Sequence, residues 1–154
     1  MRLLDILNPQ CVKVPLANVT KKEVVNELAD LLASVHGISD VEGLKTAIWQ
    51  RENARSTGIG YGIAIPHGKV AGLGNLRMAI GIASQPIDYG SLDKKPVEII
   101  ILLVSSAEQT AAHIQALAKI SRMLTDETLR ASLKTASSAE ALLALIEKYE
   151  ATVA

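Results

Sequence analysis

The 154-residue sequence predicts a single α/β domain, residues 1–154, built as a mixed β-sheet with helices on both faces. Three observations carry that expectation. Val97 to Val104 is a near-continuous apolar run, the mark of a central strand covered from both sides. Several longer segments repeat their apolar residues at helical spacing behind cap residues. The composition, 49% apolar but 3% aromatic and without Phe, requires a core of Leu, Ile, Val and Ala, which suits helices packed on a sheet. A chain of this length can bury roughly two thirds of its unfolded surface around one core.

Taken in order, residues 2–7 read as a helical turn ended by Asn8 and Pro9, and Cys11 to Pro15 alternates like a short edge strand. Thr20 and Glu23 have capping-box spacing. Val24, Val25, Leu28, Leu31, Leu32 and Val35 then share one face, and His36 with Gly37 suits a helix C-terminus, with His36 as a surface residue. Asp40 caps a second helix whose stripe is Val41, Leu44, Ala47 and Ile48, ending in Gln50, Arg51 and Glu52. After a glycine-rich stretch, residues 70–75 form a loop, and Leu76 to Ala83 reads as a strand in which Gly81 marks a close backbone approach. Gln85 to Gly90 and Asp93 to Pro96 read as turns on either side of Ser91 and Leu92. The buried strand runs into Ser105 and Ser106, which stand at capping-box distance from Glu108 and Gln109 and open a helix to about Leu124. A shorter helix from Asp126 to about Lys134 and a last one from Ser137 or Ser138, packing Leu142, Leu143, Leu145, Ile146 and Tyr149, complete the chain.

Charge and composition bound the function. Sixteen basic and sixteen acidic residues give a net charge of zero, which removes the electrostatic case for nucleic acid or an anionic membrane as partner. The single cysteine, Cys11, excludes an internal disulfide and points to a reducing compartment. Met1 to Pro9 is too short and interrupted for a signal peptide, and no apolar run reaches the ~18 residues of a membrane span, so a cytoplasmic location without membrane insertion is expected.

The chemistry concentrates between Arg55 and Lys69. Gly58, Gly60 and Gly62 precede Ile63 to Ile65, and Pro66 and Gly68 then bracket His67, which the pattern places at a rigid strand end. A neutral imidazole offers a lone pair for attack on phosphorus, and the phosphoryl group so held needs compensating donors. Arg51 has the forked guanidinium for this, or is a surface arginine paired with Glu52 or another acid. His113 precedes Leu117, Ile120 and Leu124 by four, seven and eleven residues and so shares the core-facing stripe of its helix. That favours a hydrogen-bonded core histidine, while its place near the top of the buried strand allows a second ring N–H in an open site. No His-Glu-x-x-His or Cys/His cluster, Walker loop, dinucleotide fingerprint or nucleophile elbow occurs, so neither metal nor cofactor is expected.

The stretch Ser56 to Gly68, with Arg51-Glu52 before it and His113 in the helix after the buried strand, resembles the type-2 IIA domain of the bacterial phosphoenolpyruvate-dependent sugar phosphotransferase system. The resemblance covers essentially the whole chain, and its wording is most similar to the nitrogen-regulatory branch over the fructose and mannitol branches. It implies that His67 is phosphorylated, at Nε2, by the phosphocarrier HPr or its nitrogen-branch counterpart, and that His113 and Arg51 stabilise the phosphate. It implies a transferase component whose partners are an HPr-type carrier and either regulatory targets or a IIB domain. Arg55 stands where small residues are common in relatives, which bears on local surface and partner preference. With no fused transporter, HPr-like or IIB segment, a regulatory role is expected over sugar transport. A sugar-specific IIA component and a non-catalytic binding module are the alternatives.

Overall fold

A computed structural model describes residues 1–153. Its elements run α1 (Leu3–Ile6), β1 (Leu7–Lys13), α2 (Lys21–His36), α3 (Val41–Ala54), β2 (Gly58–Gly60), β3 (Ile63–Ala64), β4 (His67–Lys69), β5 (Arg77–Ile87), β6 (Val97–Ser105), a 3₁₀ turn (Ala107–Gln109), α4 (Thr110–Met123), α5 (Glu127–Lys134) and α6 (Ala139–Thr152). The six strands form one mixed sheet in the order β1-β5-β6-β3-β2, and β4 pairs with the same central strand β6. β5 is antiparallel to β6, whereas β1 runs parallel to β5, and β3 and β4 run parallel to β6.

The centre is β6, in which every residue except Glu98 is buried. Its apolar side chains project to both faces and need cover on both. α2 and α3 pack together and cover β5 and β4; α4 and α5 pack on β6, and α6 on β1. Side chains set these elements. Thr20 accepts the amide of Glu23 at the start of α2, Asp40 that of Gly43 at α3, Asp126 that of Leu129 at α5 and Ser138 that of Ala141 at α6. Trp49 of α3 donates its indole N–H to Asn26 Oδ1 of α2 at 3.0 Å, tying the two helices together.

Two local expectations fail. Asn8 and Pro9 do not end the first segment; they lie inside β1, an edge strand whose register with β5 shifts between Leu7 and Val12, so the missing proline N–H disrupts no regular ladder. Gln85 and Pro86 belong to β5, not a turn, at a shift in register between Ile82 and Ile87. The expected close approach at Gly81 is present: a Cβ there would lie 2.5 Å from Leu16 Cδ2.

Candidate active site

Pro66 separates β3 from β4 and makes His67 the first residue of a three-residue strand on β6. Strand alternation then sorts its side chains. His67 and Lys69 project toward α4, where Lys69 Nζ donates to Thr110 Oγ1 at 2.9 Å and the His67 ring meets that of His113 edge to face, centroids 5.2 Å apart. Gly68 faces the other way, onto α3. A Cβ on it would stand 3.0 Å from the Ile48 backbone nitrogen, so the absent side chain lets α3, and with it Arg51, approach the strand.

The backbone fixes the protonation pattern of His67. Its Nδ1 lies 2.8 Å from the Ile65 carbonyl oxygen, which can only accept, so Nδ1 carries the proton and the lone pair of the neutral ring is on Nε2. Partial burial lowers the pKa below the usual 6.5, against the Ile65 hydrogen bond, and the Arg51 charge adds to the fall while Glu52 opposes it. The ring is therefore neutral at neutral pH.

His113 is a buried histidine that also reaches the neighbourhood of His67. It is a core histidine, 6% exposed, with Nδ1 bonded to Ser105 Oγ at 2.7 Å, and it also stands against His67. Burial, then the neighbouring His67 and Lys69, push its pKa down to about 4. Arg51 lines, with His67, Arg55, Ser56, Thr57 and Leu117, a cavity of about 280 Å³. Its Nη1 donates to the Arg55 carbonyl at 2.8 Å. The pairing of Arg51 with Glu52 does not occur, because Glu52 turns inward. Larger cavities lie beside His36 and Lys69, about 410 Å³, and beside Glu27 and Asp30, about 570 Å³; neither includes His67, so size does not select the site.

Glu52 itself was missed in the sequence. Only 3% exposed, it accepts the Thr57 amide at 2.8 Å, the Thr57 hydroxyl and the Tyr89 hydroxyl at 3.0 Å, and pairs with Lys21 Nζ at 3.2 Å. Burial alone would raise its pKa, but the Thr57 hydrogen bonds, Lys21 and Tyr89 together hold it below the usual carboxylate value. The signal was there: Leu44, Ile48 and Glu52 recur at four-residue intervals, so a carboxylate occupies the buried stripe of α3. Its hydrogen bonds anchor the segment that enters β2 on the wall of the His67 cavity.

The family model described as "Phosphoenolpyruvate-dependent sugar phosphotransferase system, EIIA 2" matches residues 5–149. The chain is 32% identical to the nitrogen regulatory protein of Bradyrhizobium diazoefficiens over 154 residues, covering 100% of both. It is 31% identical over 150 residues to the fructose-specific EIIABC component of Bacillus subtilis, a match covering 97% of this chain and 24% of that protein. Among solved structures, the nitrogen regulatory protein IIA-Ntr of Neisseria meningitidis superposes with a TM-score of 0.86 at 30% identity, over 94% of this chain and 98% of that one.

Proposed function

Because the chain belongs to the EIIA type-2 family of the phosphoenolpyruvate-dependent sugar phosphotransferase system, we propose that it is a phosphotransfer protein that takes a phosphoryl group on His67. The observation that carries the reading is the Nδ1–H of His67 held by the Ile65 carbonyl, which leaves the lone pair on Nε2 of a ring that stands next to His113 and lines a cavity with Arg51. In the transfer, Nε2 attacks the phosphorus of a phosphorylated HPr-type carrier. The Nε2–P bond forms as the donor's P–N bond breaks, and that electron pair stays on the donor nitrogen. The Arg51 guanidinium and an N–H of His113 bind the phosphoryl oxygens.

A donor of this kind is a protein, and the mouth of the site suits one. Ile59, Leu92 and Ile114 are 43%, 51% and 61% exposed; the first two line the His67 cavity and the third follows His113. The output is regulatory. Phosphorylation replaces a neutral imidazole by an anionic group at the centre of this apolar rim and changes which partners dock in the cytoplasm. The likeness to two nitrogen regulatory proteins supports that branch. The identity to a fructose-specific component supports a second reading, in which His67 passes phosphate to a IIB domain.

Intact-mass spectrometry after incubation with phosphoenolpyruvate, enzyme I and a panel of phosphocarriers tests this. One phosphoryl group is expected on the wild type and none on His67→Ala, and the carrier that delivers it separates the regulatory from the sugar branch. A phosphorylated His67→Ala variant, or an unmodified wild type with every carrier, refutes the proposal.

A further inference from the structure

His67 and His113 face each other as neutral rings, and each neutral ring carries one proton on one of two nitrogens. At His67 a carbonyl decides which. At His113 the partner is a hydroxyl, which can donate or accept, so the choice must be settled by the rest of the hydrogen bonding.

Ser105 is the last residue of β6 and fully buried. It pairs in register with Lys69 and lies two residues beyond Leu103, the partner of His67, so its side chain is on the same sheet face as the two histidines. Among the described residues, Nδ1 of His113 is the hydrogen-bond partner of Ser105 Oγ, at 2.7 Å, and no other is found. If Nδ1–H donated to Oγ, the serine's own proton would be buried without an acceptor, which protein interiors avoid. If the serine O–H donates to Nδ1, the buried serine proton has its acceptor, and the His113 proton resides on Nε2.

We infer that Ser105 is a positioning residue that sets the tautomer of His113, so that the neutral ring presents an N–H from Nε2 toward the group held on His67. The use of that N–H rests on the phosphotransfer reading; the tautomer assignment does not. The two rings are then oppositely prepared. Ile65 gives His67 a lone pair on Nε2, and Ser105 gives His113 a donor on Nε2. The titratable and charged groups facing His113 are His67 and Lys69, both on β4, and those acting on His67 from α3 are Arg51 and Glu52.

The test is imidazole ¹⁵N spectroscopy of the full chain, as wild type, Ser105→Ala and Ser105→Thr. His113 is expected as the Nε2–H tautomer in the wild type and in Ser105→Thr, which keeps the hydroxyl, and as a mixture in Ser105→Ala, while His67 stays Nε2-unprotonated in all three. A wild-type His113 protonated on Nδ1, or an unchanged tautomer in Ser105→Ala, overturns the inference. The wild-type spectrum decides even if Ser105→Ala does not fold. A second readout is phosphate uptake against pH. Loss of one preorganised donor costs on the order of a hundredfold, so Ser105→Ala should be slowed at neutral pH in proportion to the share of His113 rings in the wrong tautomer, about twofold for an equal mixture. The gap to wild type should narrow as pH falls from about 6 toward about 4, the range in which His113 takes up its second proton, because protonated His113 carries an N–H on both nitrogens whatever Ser105 does. A gap independent of pH indicates a merely structural serine and overturns the inference. A wild type that shows the Nε2–H tautomer but takes no phosphate refutes the phosphotransfer reading alone.

Discussion

Replacing Glu52 by Gln removes a charge where the fold depends on one. The carboxylate accepts from four groups: the Thr57 amide and Lys21 on one oxygen, the Thr57 and Tyr89 hydroxyls on the other. A carboxamide offers one acceptor and one donor. Its best orientation keeps the oxygen on Thr57 N–H and Lys21 and turns the NH₂ to the hydroxyls. Thr57 Oγ1 and Tyr89 Oη, 3.1 Å apart, then share one acceptor between two protons, and one is orphaned. One buried unsatisfied donor plus the loss of charge assistance amounts to about 3 kcal/mol. For a domain of this size that lowers Tm by about 6–12 °C. The pH dependence gives an independent check. The folded-state pKa of Glu52 lies below its unfolded value, so its stabilisation is complete above the unfolded pKa and is lost as pH falls through the folded one. Urea denaturation followed by circular dichroism should therefore show wild type and Glu52→Gln well separated at neutral pH and converging in acid. A difference under about 0.5 kcal/mol at neutral pH, or a gap that does not shrink on acidification, refutes the reasoning.

Other outcomes follow from the same geometry. Arg51→Ala should slow phosphate uptake on the order of a hundredfold with Tm nearly unchanged, because Arg51 lies in the last turn of α3 and its observed bond is to the Arg55 carbonyl just beyond that helix; rapid-quench phosphorylation alongside a thermal melt checks both. Gly81→Ala should cost about 1–3 kcal/mol by overpacking against Leu16, measured by denaturation, and the double variant with Leu16→Ala should lose less stability than the two single variants summed. The His113 pKa, lowered from 6.5 to about 4, makes the folded state lose stability as pH falls from about 6.5 to about 4, since the unfolded chain takes up the proton first. His113→Gln should flatten that part of the stability curve, and an equally steep curve would show that the histidine is not held neutral.

Much of the fold was legible because its signals are local. The unbroken apolar run of β6, the caps at Thr20, Asp40, Asp126 and Ser138 and the glycines that bring chain to chain each act within a few residues. What escaped was set by neighbours far along the chain. Pro9 and Pro86 read as breakers because proline denies a ladder hydrogen bond, and only the irregular register with distant partners shows that none was required there. At the site, His67 was marked by its own neighbours, Pro66 and Gly68. His113 stayed ambiguous because helical periodicity says which face is buried and not what else is buried with it; Ser105 and His67 supply that answer. Glu52 was passed over as a surface acid although its spacing from Ile48 put it inward, since charge outweighed position.

Trp49, the only tryptophan of the chain, is half-buried between α2 and α3, two residues ahead of Arg51. Indole emission is sensitive to hydrogen bonding at the ring N–H and to nearby polarity, so the protein contains its own optical probe in α3, the helix that carries Arg51. Any adjustment of α3 when a phosphoryl group arrives would alter the bond to Asn26 and thereby the quantum yield. The chain without Phe and with three Tyr leaves little to obscure that signal, and a shift of α3 against α2 would be read, unlabelled, by light.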